Sequence, residues 1–377
     1  MAPPLWKNCF CGIKIQKNEN PHLWLAVVQK NLEPFTKLRD LGQDINPATG
    51  CGCTPFHMAA NLGLKDMFNF FFNNVDEKNP QNDLGCTPLH LASGEGSFSI
   101  CEKLVIWLQE NSRDPNPRCN MGLSPLYKAA RTGHLKIVNF FCNTMQLQNP
   151  RIHDELGHEH TVLHIAARYG HLPIVKSILE VLDNGNKNPA SSHDGVTPLH
   201  CAATSLKGKL EVLELFFRHG VDINVKDKYG MTALYHAAMK GNMAACRFLS
   251  GSMPFSKANN GCTPLHAAAY DGDLEIFKVL CPRGQDISPK NEDGDTPLHF
   301  DAQTGHLKMF EYIFWNMTEK NPGNNKKTTP LHIAAEHDHK SIVSFIIKNI
   351  DDKHPKNDFE ETPKDVAANE DIRCLFN

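Results

Sequence analysis

A chain of 377 residues, 41% of them apolar, has room for two or three ordinary domains or for one long array of repeats, and it can bury a core. Its formal charge of −3 gives no electrostatic case for binding nucleic acid or an anionic membrane, and its cationic runs are short, Lys326–Lys327 being typical. No apolar segment reaches the roughly 18 residues that a bilayer span needs. Thirteen cysteines, an odd number, argue for reduced thiols in the cytoplasm or nucleus rather than for a disulfide framework.

Residues 1–20 begin MAPPLWKNCFCG, lack the long apolar stretch of a secretory signal and read as a tail. Residues 21–48 read as a terminal unit, with HLWLAV and LGQDINP echoing segments found further along. From there one motif, Thr-Pro-Leu-His or a near variant, starts at Thr54, Thr87, Ser124, Thr161, Thr197, Thr232, Thr263, Thr296 and Thr329, with a last partial copy at Thr362. Successive spacings are 33, 37, 37, 36, 35, 31, 33, 33 and 33. Most copies follow a glycine two residues earlier, as at Gly85, Gly122 and Gly261. Another glycine comes about ten residues later, as at Gly133, Gly170 and Gly272.

Residues 258–290 show what each copy encodes. Asn260–Gly261 is a tight-turn dipeptide. Thr263 suits a helix N-cap, and Pro264 the first helical position, where a missing N–H costs nothing. Leu265, Ala268 and Ala269 then form one apolar face, and Asp271–Gly272 ends that short helix. A second helix runs through Leu274, Ile276, Phe277, Val279 and Leu280. The alanines keep the first helix slim, so the second packs close, and neither buries its face until neighbouring copies stack.

This pattern resembles the ankyrin repeat, over nearly the whole chain. The best match is GVTPLHCAATS…LEVLELFFRHGVDINVKD, residues 195–227. The resemblance implies an all-α solenoid of helix-turn-helix units joined by short β-hairpin or finger loops. Residues 21–377 would then hold about nine full repeats, with an N-terminal cap at 21–48 and a C-terminal cap at 357–377. Pro34 and Pro173 fall in the first turn of second helices, where proline is tolerated. Tyr127 and Tyr235 replace the motif histidine. The extra residues of the longer spacings are expected between a second helix and the next finger, as at 107–118 and 180–190, with an added helical turn. The short spacing at 251–260 is expected to mark a hinge.

Twenty histidines invite a catalytic or metal reading, but the repeat absorbs half of them. Seven are motif residues (His57, His90, His164, His200, His266, His299 and His332), and three follow glycine at a turn (His134, His171 and His306). In the ankyrin family the motif His and Thr brace the loop and adjacent repeats. HDELGHEH, 153–160, is denser: His153, His158 and His160 sit among acids, and imidazole suits zinc or nickel. The opposing reading, and the one taken, is a solvated finger loop without fixed ligand geometry. Cys9, Cys11, Cys51 and Cys53 could make a four-thiolate site, although Cys53, like Cys86 and Cys262, falls just before a motif Thr. No metal or cofactor is expected. Asp301 stands where other copies carry alanine; residues two apart on a helix do not face each other, so it forms no dyad with His299. It is expected to find a polar partner in a flanking repeat or to weaken its own.

No catalytic signature is present: there is no G-x-S-x-G elbow, phosphate loop or H-E-x-x-H helix. The chain is read as a non-enzymatic, monomeric scaffold or adaptor that binds a protein partner in a concave groove, without nucleic acid or membrane insertion. The alternatives are an inhibitor or substrate-recruiting subunit of a ubiquitin ligase or phosphatase, and a metal- or redox-responsive protein. The repeat frame assigns to the groove Arg131, Arg168, Tyr169, Met239, Lys240, Tyr270, Asp271, Gln303, Glu336 and His337, with Leu123, His160, Met231 and Asp295 just before the motif Thr. Arg131, Arg168, Tyr169 and Lys240 are expected to form a basic–aromatic centre for an acidic segment of the partner. The family also implies that finger asparagines are hydroxylated, Asn224 being the best candidate.

Overall fold

In a computed structural model, residues 21–154, 156–182, 186–205, 210–251, 256–281 and 286–376 are described. The chain forms two compact halves, Met1–His193 and Asp194–Asn377. The tail at 1–20, with Cys9 and Cys11, lies outside the described residues, as do 252–255 of the expected hinge.

The N-terminal half contains α1 (Pro21–Val28), α2 (Glu33–Asp40), α3 (Pro55–Asn61), α4 (Lys65–Asn74), α5 (Pro88–Glu95), α6 (Phe98–Glu110), α7 (Pro125–Thr132), α8 (Leu135–Thr144), β1 (Arg151–His153), β2 (Glu159–Thr161), α9 (Val162–Arg168) and α10 (Leu172–Val181). The C-terminal half contains α11 (Pro198–Ala203), α12 (Leu210–Arg218), α13 (Ala233–Met239), α14 (Met243–Ser250), α15 (Pro264–Asp271), α16 (Leu274–Leu280), α17 (Pro297–Thr304), α18 (Leu307–Asn316), α19 (Pro330–Glu336), α20 (Lys340–Asn349) and α21 (Glu370–Arg373), then a 3₁₀ turn at Cys374–Phe376. No described helix is long and apolar enough to cross a membrane.

Each half is built in two layers of helices. First helices stack on first helices (α3, α5, α7, α9 in one half; α11, α13, α15, α17, α19 in the other) and second helices on second helices. Buried alanine pairs such as Ala129/Ala130 and Ala268/Ala269 keep the inner layer thin. Large residues of the outer layer, Phe68, Phe71, Phe141, Phe277 and Phe310 among them, fill the space between the layers.

Local chemistry fixes where the first helices begin. Thr54 is extended (φ −122°, ψ 163°), its side chain accepts the His57 N–H, and Pro55 occupies the first turn. At the other end, Gly133 and Gly305 adopt φ 91° and 88°. A Cβ there would lie 2.5 Å and 2.4 Å from the imidazoles of His171 and His339 in the next repeat, so glycine is required for space as well as for φ. Pro34 and Pro173 lie in first turns, as expected.

The extra residues are accommodated in two ways. In the repeat starting at Thr87 they lengthen α6 to 13 residues, against 10 in α4 and α8. In the repeat starting at Thr161 they extend the finger into an antiparallel hairpin, with Arg151 opposite Thr161 and His153 opposite Glu159. Part of 180–190 lies outside the described residues. After Thr362 the chain makes a turn, not a full first helix, and Asp365 Oδ2 takes the role of the motif His by accepting the Thr362 N–H at 2.8 Å.

Candidate protein-interaction surface

The motif histidines form the framework on which the surface is mounted. The backbone N–H of Thr54, Thr87, Thr197, Thr263, Thr296 and Thr329 donates to the Nδ1 of the histidine three residues on, at 3.0–3.2 Å. Nδ1 is therefore an acceptor, and the proton sits on Nε2. Each Nε2–H donates to a carbonyl in the next finger: His57 to Cys86, His90 to Leu123, His200 to Met231, His266 to Asp295, His299 to Thr328 and His332 to Glu361, at 3.1–3.2 Å. Burial pushes the pKa of His57, His90, His200, His266 and His299 down to about 4, so the rings stay neutral. Histidines at the start of second helices, two of them in Gly-His turns (His134 and His171) and one after Asp338 (His339), reach the other way, whereas the Gly-His residue His306 contacts Thr304 and Asp301 of its own repeat. His134 donates to the Gly94 carbonyl at 2.9 Å, His171 to that of Arg131 at 2.7 Å, and His339 to that of Gln303 at 2.9 Å. These contacts are structural bracing, in line with the sequence reading.

A second brace escaped the sequence reading. Oδ1 of Asn46, Asn79, Asn116, Asn149 and Asn321 accepts the backbone N–H of Phe56, Leu89, Leu126, Leu163 and Leu331, at 2.9–3.2 Å. That N–H belongs to the first helical turn and has no partner inside its helix. The signal was present: each of these asparagines precedes a proline.

Most of the residues assigned to the groove are solvent-facing. In the N-terminal half Arg131 is exposed, with its guanidinium carbon 5.5 Å from the centre of the Tyr169 ring. A cleft of about 580 Å³ opens beside Arg131, lined also by Asn61, Glu95, Lys128 and Met121, which is 52% exposed. In the C-terminal half Met239, Lys240, Tyr270, Asp271, Gln303, Glu336 and His337 are exposed. Tyr270 packs edge-on against Phe300. Burial raises the Asp271 pKa, and Lys240 and His306 oppose that shift. Lys240 belongs to the C-terminal half, so only Arg131, Arg168 and Tyr169 of the expected centre share the N-terminal half.

Two expectations need correction. Leu123 and His160, just before the motif Thr, are 5% and 1% exposed; Leu123 still contributes to the floor of the Arg131 cleft, whereas His160 is buried in the hairpin. Side chains at this position turn toward the next finger: Asn82 Nδ2 donates to Cys53 Sγ at 3.2 Å, and Asn324 Nδ2 to Asp295 Oδ1 at 2.8 Å. The stretch 153–160 is also no solvated loop. It is the β1–β2 hairpin, with Asp154 and His160 buried beneath it. His153 Nε2 lies 3.4 Å from Arg118 and outside the cluster, while Asp154 joins His158 and His160. Glu159 pairs with Arg151, and Glu155 lies outside the described residues. Arg168 turns inward, with Nη1 3.7 Å from Asp154 Oδ2.

Asp301 is fully buried, and neither carboxylate oxygen completes a hydrogen bond. The nearest side-chain partner, His306 Nδ1 at 3.4 Å, comes from its own repeat rather than a flanking one. Burial pushes its pKa up to about 8. Cys51 and Cys53 are buried, with Thr49 Oγ1 3.1 Å from Cys51 Sγ and Asn82 Nδ2 donating to Cys53 Sγ at 3.2 Å; Cys9 and Cys11 of the four-thiolate alternative lie outside the described residues.

The family description "Ankyrin repeats (3 copies)" matches residues 23–111, 145–227, 204–291 and 284–358. The nuclear factor NF-kappa-B p105 subunit of Gallus gallus is 34% identical over 105 residues, 27% of this chain and 10% of that protein. The probable E3 ubiquitin-protein ligase XBOS33 of Oryza sativa subsp. japonica is 34% identical over 87 residues, 22% of this chain and 16% of that protein. This chain thus spans a small part of the curated relatives it matches. The solved ankyrin repeat domain of Bcl-3 aligns with 56% of this chain and 96% of its own length, at 23% identity and a TM-score of 0.48. With the family pattern covering most of the residues and the Thr–His bracing repeated through both halves, the chain belongs to the ankyrin-repeat family.

Proposed function

We propose that this chain is a non-catalytic scaffold or adaptor, with about nine full repeats over 21–377 and the units at 21–48 and 357–377 as caps, and that it binds a partner protein through an acidic segment. The ankyrin repeat is a protein–protein interaction module and generally non-catalytic, which supports the coarse assignment. The observation that carries the finer one is the exposed Arg131 guanidinium beside the Tyr169 ring at the edge of an open cleft. Cation, aromatic face and neighbouring apolar surface are the ingredients of an interface anchor. The odd cysteine count, thirteen, supports a reducing compartment, the cytoplasm or nucleus.

The test is affinity capture with the wild-type chain and with the Arg131→Glu variant, followed by mass spectrometry in low and high salt. Proteins with acidic segments, retained by the wild type, released by salt and lost by the variant, are the expected result. An identical set on both baits rejects this placement. A substrate-recruiting subunit is the second reading, prompted by the likeness to a probable ubiquitin-protein ligase. Recovery of a ligase core in the same capture would favour it.

A further inference from the structure

We propose that the β1–β2 hairpin is a binding site for a zinc-class divalent cation, held by Asp154, His158 and His160. One donor atom from each residue lies within 4.8 Å of the other two. Asp154 Oδ2 is 3.1 Å from His160 Nε2 and 3.8 Å from His158 Nδ1. A tetrahedral ion with ligand bonds of about 2.1 Å needs its donors roughly 3.4 Å apart, a value that these two separations bracket. Two imidazoles and one carboxylate suit zinc, cobalt or nickel, whereas calcium and magnesium take oxygen ligands.

The donors are held in place. Asp154 Oδ1 accepts the backbone N–H groups of Leu156 at 3.0 Å and His158 at 2.9 Å, which leaves Oδ2 directed at the two rings. Burial raises the Asp154 pKa, but these N–H groups, His160 and Arg168 outweigh it and keep the carboxylate ionised. The His160 and Asp154 side chains are 1% and 6% exposed, while His158 is 28% exposed and supplies the entry side. His193 stacks on the His158 ring with centroids 4.3 Å apart. The chain contains its own contrast. Asp227 accepts two backbone N–H groups in the same way, but its Oδ2 meets a single imidazole, His236, at 2.8 Å.

Arg168 is the competitor. Its Nη1 lies 3.7 Å from Asp154 Oδ2 and its Nη2 3.5 Å from His160 Nε2, so a bound ion displaces this guanidinium. The site itself does not depend on the protein-binding reading.

The test is titration of the chelator-treated full chain with Co²⁺, read by visible absorption, followed by displacement with Zn²⁺ in a calorimeter. One Co²⁺ per chain with tetrahedral bands is expected. His158→Ala should weaken binding about 100-fold, and Asp154→Asn, which keeps the turn as Asn82 and Asn324 do, should weaken it similarly. Arg168→Gln should tighten it roughly 10-fold by removing a nearby positive charge, and His236→Ala should leave it unchanged. Thermal melts confirm that each variant is folded. Absence of binding at millimolar Co²⁺ in both the wild type and Arg168→Gln overturns the proposal. So does binding indifferent to His158→Ala and Asp154→Asn, or a sulfur charge-transfer band, which would place the ion on thiolates.

Discussion

Asp301 separates the repeat starting at Thr296 from its siblings by one carboxylate in place of a methyl group. Buried without a completed hydrogen bond, it keeps its proton up to about pH 8, whereas the unfolded chain releases it near the ordinary value of 3.8. The folded state therefore binds more protons than the unfolded one between these limits. The stability associated with the protonated acid is fully present below about pH 4 and is lost as pH rises toward 8. Asp301→Ala should raise stability on the order of 2 kcal/mol at pH 8, with the gain shrinking toward pH 4. Urea unfolding at both pH values checks this. A gain equal at both would point to packing rather than charge, and a loss at pH 8 would mean that the His306 contact is worth more than burial costs.

Single elements owe their ends to braces that differ in how plainly the sequence announces them. Thr, Pro and His of the motif act within three residues of one another, so the start of each first helix was legible. So was the glycine stop, because the backbone there needs φ above zero. The Asn–Pro brace joins residues ten or fourteen apart, and that variable separation hid it behind the expectation of an ordinary turn. Asn79→Ala and Asn321→Ala should each cost about 1–2 kcal/mol, since a helical N–H loses its acceptor. Asn349→Ala, at an exposed helix end, should stay within about 0.5 kcal/mol. Chemical denaturation of the three variants distinguishes a brace from a general asparagine effect. The hairpin at 151–161 was less legible, because extra residues can lengthen a helix or a finger, and only the pairing of Arg151 with Thr161 decides which. The exposure of Arg131 and Tyr270 follows from the repeat frame. The frame did not foresee Arg168 turning inward, since Asp154 approaches it from the hairpin rather than from its own helix.

For the molecule as a whole, the bracing has a direction. The buried imidazoles of His57, His90, His200, His266, His299 and His332 donate forward, to the finger that follows, whereas His134 and His171, which reach backward, are partly exposed. Removing residues 357–377 should strand the His332 Nε2–H, which now meets the Glu361 carbonyl at 3.1 Å. His332→Ala should then cost about 2 kcal/mol in the full chain and less than about 1 kcal/mol in the shortened one. Equal costs in a double-mutant cycle would deny that the forward bond matters. The same polarity bears on biosynthesis, which delivers the amino terminus first. His299 and its acceptor at Thr328 are 29 residues apart, so on a growing polypeptide a nearly finished module waits for that much more chain before its last donor is satisfied. Emergence from the ribosome thus completes each module one step behind its own translation.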